Sequence, residues 1–319
     1  MCAKITHKHI FFEQITYSIL GDIMHKLKHL MMLILLILFY SQADDITKVS
    51  KEGLNFWFEQ LVPSMFISIT VIQWLSQTSF FTWIAQHLRP LCFILNLNEE
   101  ALGLIISCLL LGCPANVVLI NEAYTQQRIT EKMVLRLLLC TPVTTISFLI
   151  MNAGAMMLNS IWAGFVLWLI QLFGCFVLLL ITRGTMIEAS PSLSAQKKHS
   201  VTSAFYKSGS ILFLIGGYLL MFQTIILLIQ PIFPDQIQSL LKILSEFSYG
   251  CFLISERFCF STAFVLMSAL CGFNGLCVQF QAISLSEIKI PIFQYGCYRI
   301  LQGLLATLIS ITVLPLLHG

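Results

Sequence analysis

Polar side chains lie inside the long apolar runs of this chain, and they fall into two groups. The first group is Asn116, Asn121, Thr141, Thr144 and Thr145, and the second is Asn274, Gln279, Gln281, Gln294 and Gln302. Their amides and hydroxyls are neutral donors and acceptors, which suit recognition of a neutral polar solute such as a nucleoside or a sugar fragment. Polar groups are costly in a membrane interior and are therefore candidates for function, although such groups also tie neighbouring helices together.

Two charged residues belong with these candidates. Glu246 and Arg299 can pair with each other, or Glu246 can carry a proton in coupled transport. Glu246 also falls in the stretch 237–257, and a carboxylate would be unremarkable there if that stretch lies at the membrane interface. The sequence leaves these three interpretations open.

No arrangement of residues points to catalysis. The chain has no GxxxxGK[ST] phosphate loop, no HExxH motif and no spacing that links a serine to a histidine base. Eleven cysteines occur without a CxxC pair, and most lie in apolar runs, which favours packing over disulfides. His7 and His9 could suggest a metal site, but without Cys or carboxylate partners nearby a solvated basic tail is favoured there. We expect a protein that is not an enzyme and that uses no metal or cofactor.

The composition assigns these residues to a membrane protein. Of the 319 residues, 57% are hydrophobic and 10% are charged, whereas soluble domains carry about 25% charged residues. The apolar residues form runs rather than alternating, which favours membrane helices over an outer-membrane barrel. The net charge of +3 is too small to indicate a nucleic-acid partner. We therefore predict an all-α integral membrane protein whose main partner is the lipid bilayer.

The apolar runs divide the chain into two similar halves. They cover residues 30–40, 54–84, 101–120, 133–158, 161–181, 205–233, 258–283 and 291–317. The first run is short; a cleaved signal and an uncleaved anchor both fit it, and we interpret it as a retained span. The resulting organisation is a basic cytoplasmic tail (1–29), a first repeat with its preceding span (30–182), a cytoplasmic linker (183–204) and a second repeat (205–319).

Each half contains an apolar run that is interrupted near its middle. The interruptions are 112–116 (Gly-Cys-Pro-Ala-Asn) and 272–275 (Gly-Phe-Asn-Gly), and their first residues, Gly112 and Gly272, stand 160 residues apart. Glycine relaxes the backbone and proline removes a donor, so both favour a break in a helix. A plain kinked span is the alternative, because Gly and Pro are common in membrane helices.

The positive charges predict how these runs cross the membrane. The basic N-terminus and the linker residues Arg183, Lys197 and Lys198 are expected in the cytoplasm. The run 101–120 then begins and ends on the cytoplasmic side, as a re-entrant hairpin does. The predicted architecture is an inverted repeat with about six spans, two re-entrant helical hairpins and both termini in the cytoplasm, a pattern found in transporters.

Several short motifs, taken in order, resemble a known family. They are 52–66 (EGLNFWFEQLVPSMF), 112–115 (GCPA), 140–142 (CTP), 246–250 (EFSYG), 274–281 (NGLCVQFQ) and Arg299. Together these motifs are similar to the sporulation integral membrane protein YlbJ family, within the nucleoside-recognition (gate-domain) membrane proteins. The chain departs from the family pattern at Cys113, Asn116, Thr141, Asn274, Cys277 and Gln279, where an aromatic residue, Gly, Asn, Gly, Ser and His are usual.

The resemblance implies a role in endospore formation, at cortex assembly, and movement of a small polar solute such as a nucleoside. A non-transporting membrane scaffold of the sporulating cell envelope is the alternative, and a homo-oligomer stays open. The candidate solute-binding residues are Gly112, Pro114, Asn116, Thr141, Glu246, Asn274, Gly275, Gln279, Gln281 and Arg299. The departures at Thr141, Cys277 and Gln279, where Asn, Ser and His are usual, imply an altered polar site.

Overall fold

A computed structural model describes residues 29–30, 32–33, 36–183 and 200–317. The chain divides into two compact units, residues 1–49 and 50–319, and both predicted repeats lie mainly in the second unit. Residues 1–28 of the predicted tail, with His7 and His9, and residues 184–199 of the predicted linker lie outside the described part.

The described residues form helices and no strands. The helices are α1 (Ala43–Ser76), α2 (Phe80–His87), α3 (Arg89–Leu95), α4 (Glu99–Leu111), α5 (Ala115–Thr125), α6 (Glu131–Cys140), α7 (Phe148–Met157), α8 (Ile161–Ile181), α9 (Val201–Ile229), α10 (Asp235–Ser245), α11 (Phe247–Arg257), α12 (Phe260–Phe273), α13 (Gly275–Leu285) and α14 (Ile292–Val313). Helix α1 has a π-helical stretch at Trp57–Leu61, and α7 is π-helical throughout.

Five stretches within the described residues are long and apolar enough to cross a membrane. They are Ala43–Ser76, Ile161–Ile181, Val201–Ile232, Phe260–Leu285 and Ile292–Leu317. Large side chains such as Ile67, Phe213 and Phe293 are exposed on these helices, as expected of surfaces that contact lipid. For the described part of the chain, this confirms the predicted all-α class and helices of membrane-spanning length. The predicted crossing at 30–40 is only partly described.

Short polar residues set where the helices begin. The Asn98 side chain accepts a hydrogen bond from the Ala101 N–H at 2.7 Å and caps α4. Ser160 caps α8 through the Ala163 N–H at 3.2 Å. Such caps satisfy backbone donors that the first turn of a helix leaves unpaired.

The run 133–158 is divided in the structure, contrary to the single span predicted for it. Helix α6 ends at Cys140, and the backbone is not helical again until residue 146. Pro142 explains the break, because proline has no N–H and disfavours helical geometry at the preceding residue. The result is two short helices, α6 and α7, joined by the segment 141–145.

The second predicted interruption is also narrower than expected. Helix α12 continues through Gly272 to Phe273, and only Asn274 leaves the helix. A Cβ atom at Gly272 would lie 2.8 Å from the Gln302 carbonyl oxygen and 2.9 Å from the Cα atom of Gly303. Gly272 therefore allows α12 to approach α14 closely rather than breaking the helix.

A similar close approach holds α7 against α8. A Cβ atom at Gly164 would collide with the Leu149 carbonyl oxygen and would lie 2.9 Å from the Cα atom of Gly154. Small residues of this kind are typical of tightly packed membrane helices.

We predict that Gly164→Val destabilises the protein by about 1–3 kcal/mol, since the added methyl groups must push α7 away from α8. Gly217→Val is the matched control. Like Gly164, Gly217 lies in a helix, but Gly217 is exposed and has no atom within 4 Å of an added Cβ. The measurement is the thermal unfolding midpoint of each purified variant in detergent. Equal midpoints for the two variants would contradict the packing described for Gly164.

Candidate functional site

Four interruptions of helical backbone come together in the second unit. We call them break 1 (112–114, between α4 and α5), break 2 (141–145, between α6 and α7), break 3 (Glu246, between α10 and α11) and break 4 (Asn274, between α12 and α13). Breaks 1 and 4 match predicted interruptions, whereas breaks 2 and 3 were not predicted as interruptions. Hydrogen bonds and close contacts connect break 2 to breaks 1 and 4, and break 3 to break 4.

Break 1 depends on a glycine and is pressed against break 2. Gly112 has a φ of +73°, and a Cβ atom there would lie 2.5 Å from the Thr145 backbone nitrogen. The next residue, Cys113, donates its N–H to the Val143 carbonyl at 2.7 Å and precedes a cis bond to Pro114. Both the conformation and the contact require a residue without a side chain at position 112.

Asn116 and Thr141, two of the predicted site residues, are in contact. The Asn116 Nδ2 atom donates to the Thr141 carbonyl at 3.0 Å and to its hydroxyl at 3.4 Å, while that hydroxyl donates to the Leu137 carbonyl. Both residues are completely buried. Within the described residues the Asn116 Oδ1 atom has no hydrogen-bond partner. One half of this amide therefore ties α5 to break 2, and the other half is an unused acceptor.

Break 4 is fastened to break 2 by a single side chain. Asn274 has a φ of +68°, a left-handed conformation that asparagine tolerates better than most residues. Its Nδ2 atom donates to the Pro142 carbonyl at 2.7 Å, and its Oδ1 atom accepts from the Thr144 hydroxyl at 3.3 Å. Gly275 follows with a φ of +60°, and a Cβ atom there would lie 2.9 Å from the Phe247 backbone nitrogen, next to break 3.

Break 3 is organised by the Glu246 carboxylate. It accepts the N–H of Ser248 at 3.1 Å, the hydroxyl of Ser248 at 2.9 Å and the N–H of Tyr249 at 2.6 Å, and so it caps α11. Glu246 is buried but lies outside the five helices of membrane-spanning length. Burial raises the pKa of this carboxyl, and the hydrogen bonds from Tyr249 and Ser248 partly oppose that change in pKa.

Glu246 and Arg299 do not form the ion pair that was one of the predicted possibilities. The ion pairs within the described residues are Arg89–Glu99, Arg128–Glu100 and Lys207–Glu122. Arg299 is completely buried and donates instead to the carbonyls of Leu139 and Pro142, beside break 2. Glu246 therefore forms hydrogen bonds at break 3, and Arg299 forms hydrogen bonds at break 2.

The two predicted glutamines of α13 differ in what they contact. The Gln279 Nε2 atom donates to the Phe273 carbonyl at 3.0 Å, across break 4, and so satisfies the end of α12. The Gln281 Nε2 atom lies 3.3 Å from the Cys277 sulfur on its own helix, and its Oε1 atom is buried without a partner in the described residues. Gln281 is the second unused acceptor at the site.

A small cavity lies among the breaks. It is lined by Pro114, Thr145, Glu246, Ser248 and Gln281 together with apolar side chains that include Met65 of α1. Its volume of about 20 Å³ has room for about one water molecule. Three predicted site residues, Pro114, Glu246 and Gln281, line this cavity. Asn116, Asn274 and Arg299 hold the surrounding breaks in place instead.

Sequence reasoning did not include Pro142 among the site residues, although its carbonyl connects two elements of the second half to break 2. The Pro142 carbonyl accepts from both Asn274 and Arg299, at 2.7 and 2.8 Å. A proline within the apolar run 133–158 was the available signal, since it predicts a broken helix with a free carbonyl.

No family model, curated protein or solved structure matches this chain. The described residues contain no group of three or more His, Cys, Asp or Glu side chains arranged for a metal ion. The polar groups at the breaks are amides, hydroxyls, backbone carbonyls and the Glu246 carboxylate.

Comparing two substitutions at Asn274 separates its backbone role from its side-chain role. Asn274→Gly keeps the left-handed conformation but removes the hydrogen bonds to Pro142 and Thr144, so we expect a loss of about 1–3 kcal/mol. Asn274→Ala adds a conformational cost of about 1–2 kcal/mol. Thermal unfolding should rank wild type above Asn274→Gly and Asn274→Gly above Asn274→Ala. Equal stability of the two variants would show that the positive φ imposes no cost.

Proposed function

We propose that this protein is a transporter-like membrane protein that binds a neutral polar solute where the four helix breaks meet. The observation that carries the proposal is the convergence of these breaks, from segments more than 160 residues apart in the chain, around one small cavity. Broken helices that meet at membrane depth are a recurrent feature of solute sites in transporters. Backbone outside a helix is tolerated there only where protein or a water-filled cavity satisfies it.

The chemistry of the proposed ligand follows from the acceptors that the protein leaves unused. At the breaks, Gln281 Oε1 and Asn116 Oδ1 are buried without partners in the described residues. Gln281 lines the cavity and Asn116 does not, so the Asn116 oxygen would meet a ligand only after break 1 moves. An unsatisfied buried acceptor costs about 1–3 kcal/mol, so a ligand that donates to it gains affinity. Hydroxyl and amino groups of a nucleoside or a sugar fragment are such donors. These two acceptors are neutral amides, which favours an uncharged ligand.

We interpret the arrangement as a closed state of a moving protein. The cavity has room for about one water molecule, so a nucleoside-sized solute requires break 1 to separate from break 3. Gly112, at the end of α4, supplies a hinge for such a movement. An inverted repeat with two re-entrant hairpins and both termini in the cytoplasm would allow access from alternate sides. The family resemblance adds endospore cortex assembly as the expected setting.

A membrane scaffold of the sporulating cell envelope is the second candidate. The observation that favours it is that most polar groups at the breaks are hydrogen-bonded within the protein. Thr141, Thr144 and Asn274 are examples. A scaffold needs rigid breaks and no ligand, whereas a transporter needs Asn116 and Gln281 to find partners in a solute.

Ligand binding separates these candidates. We expect at least one nucleoside or sugar fragment to raise the thermal unfolding midpoint of the purified protein, because a ligand stabilises the state that binds it. Gln281→Leu should abolish that rise without unfolding the protein, since the one hydrogen bond that the Gln281 side chain makes to the described residues is within α13. Gln294→Leu is the control, because Gln294 is exposed at the start of α14. No rise with any compound, or an equal rise in Gln281→Leu, would favour the scaffold.

The re-entrant arrangement is tested by labelling. Single cysteines at Glu99 and Thr125 report the outer ends of α4 and α5, and one at Lys197 reports the linker, all in a cysteine-free background. If α4 and α5 form a hairpin, a membrane-impermeant thiol reagent labels all three from the cytoplasmic side. Labelling of positions 99 and 125 from opposite sides would establish a plain crossing instead.

A further inference from the structure

Arg299 carries a buried positive charge for which the described residues provide no carboxylate within 4 Å. Its Nη1 atom donates to the Pro142 carbonyl and to the Gln302 side-chain oxygen, each at 2.8 Å, and its Nη2 atom donates to the Leu139 carbonyl. The Tyr295 ring lies 5.5 Å from the guanidinium carbon. Oxygen atoms of neutral groups thus take the place of a counter-ion.

Two of these oxygens belong to the broken end of α6. Leu139 lies in its last turn, where carbonyls have no partner within the helix, and Pro142 follows in break 2. The carboxyl end of a helix carries a partial negative charge that favours a cation. In transporters with broken helices, such ends and unwound carbonyls coordinate sodium ions or protons.

The third oxygen is held in place by a chain of neutral hydrogen bonds. The Gln302 Nε2 atom donates to the Gln171 side-chain oxygen at 3.2 Å, and the Gln171 Nε2 atom donates to the Ser268 carbonyl at 3.4 Å. Because its nitrogen faces Gln171, the Gln302 amide turns its oxygen toward Arg299. This chain connects α8, α12 and α14, so the oxygen cluster is built by elements from both halves of the chain.

We propose that break 2 contains a cation site that the protein fills with its own guanidinium. Leu139, Pro142 and Gln302 supply the oxygen ligands, and Arg299 occupies the position that a dissolved monovalent cation would take. The inference goes beyond the proposed solute site, and it holds whether or not the protein moves a solute. It follows that the wild-type protein needs no added cation at this break, whereas a protein without the guanidinium does.

Chemical rescue tests this directly. Arg299→Ala leaves the three oxygens facing an empty space the size of the guanidinium, and we expect its thermal unfolding midpoint to fall by many degrees. Guanidinium chloride, at a concentration far below that which denatures proteins, should raise that midpoint by several degrees, whereas urea, its neutral analogue, should not. Neither compound should raise the midpoint of the wild type. Equal effects of guanidinium and urea on Arg299→Ala would overturn the proposal.

Phe264→Ala is the control, because it also removes a large buried side chain, and within the described residues no hydrogen bond or ring contact connects Phe264 to Arg299. Guanidinium should not rescue it, and rescue equal to that of Arg299→Ala would also overturn the proposal. If Arg299→Ala does not fold, Arg299→Lys and Arg299→Gln decide the question. A cation site requires the charged lysine variant to be the more stable of the two, and the reverse order excludes it.

Discussion

The backbone carbonyl of Pro142 is the point on which the described site depends. Proline stops α6 from continuing into α7 and leaves a carbonyl free in an apolar interior, where an unpaired group would be costly. That oxygen accepts from Asn274 of break 4 and from Arg299 of α14. One interruption in the first half of the chain is thereby satisfied by two side chains of the second half. Neither half can complete this site alone.

The same constraint separates residues that hold the site from residues that can meet a ligand. Asn274 uses both ends of its amide within the protein, and Gln279 closes the end of α12, so both are committed to structure. Asn116 commits only its nitrogen, and Gln281 keeps its oxygen free. Polar residues that looked equivalent in the sequence therefore differ in what they have left to offer a solute.

Features of the fold and the site were predictable from the sequence where they depend on neighbouring residues in the chain. The span at Ile161–Ile181 matches its apolar run, and the breaks at Gly112 and Asn274 follow from residues that tolerate positive φ. Break 2 carried a local signal in Pro142, but the surrounding apolar run outweighed it. Two of the partners of Arg299, at Leu139 and Pro142, were not predictable, because they are backbone carbonyls, and sequence patterns show side chains only. The topology based on the positive-inside rule, the inverted repeat and the family assignment remain predictions.

The guanidinium of Arg299 is a cation attached to the chain, and it constrains movement of the site differently from a dissolved ion. A dissolved ion can leave, and its departure frees the carbonyls of a break to rearrange. Arg299 cannot leave Leu139 and Pro142 unless α14 moves or the charge is left buried without partners, which is strongly unfavourable. Break 2 should therefore move with α14 as one body. Separation of breaks 1 and 3, which line the cavity through Pro114 and Glu246, requires the Cys113–Val143 hydrogen bond or the contact between Gly275 and Phe247 to give way. In a transporter built this way, the arginine would hold break 2, which contributes Thr145 to the cavity lining, in place, and opening would fall to α4–α5 and α10–α11.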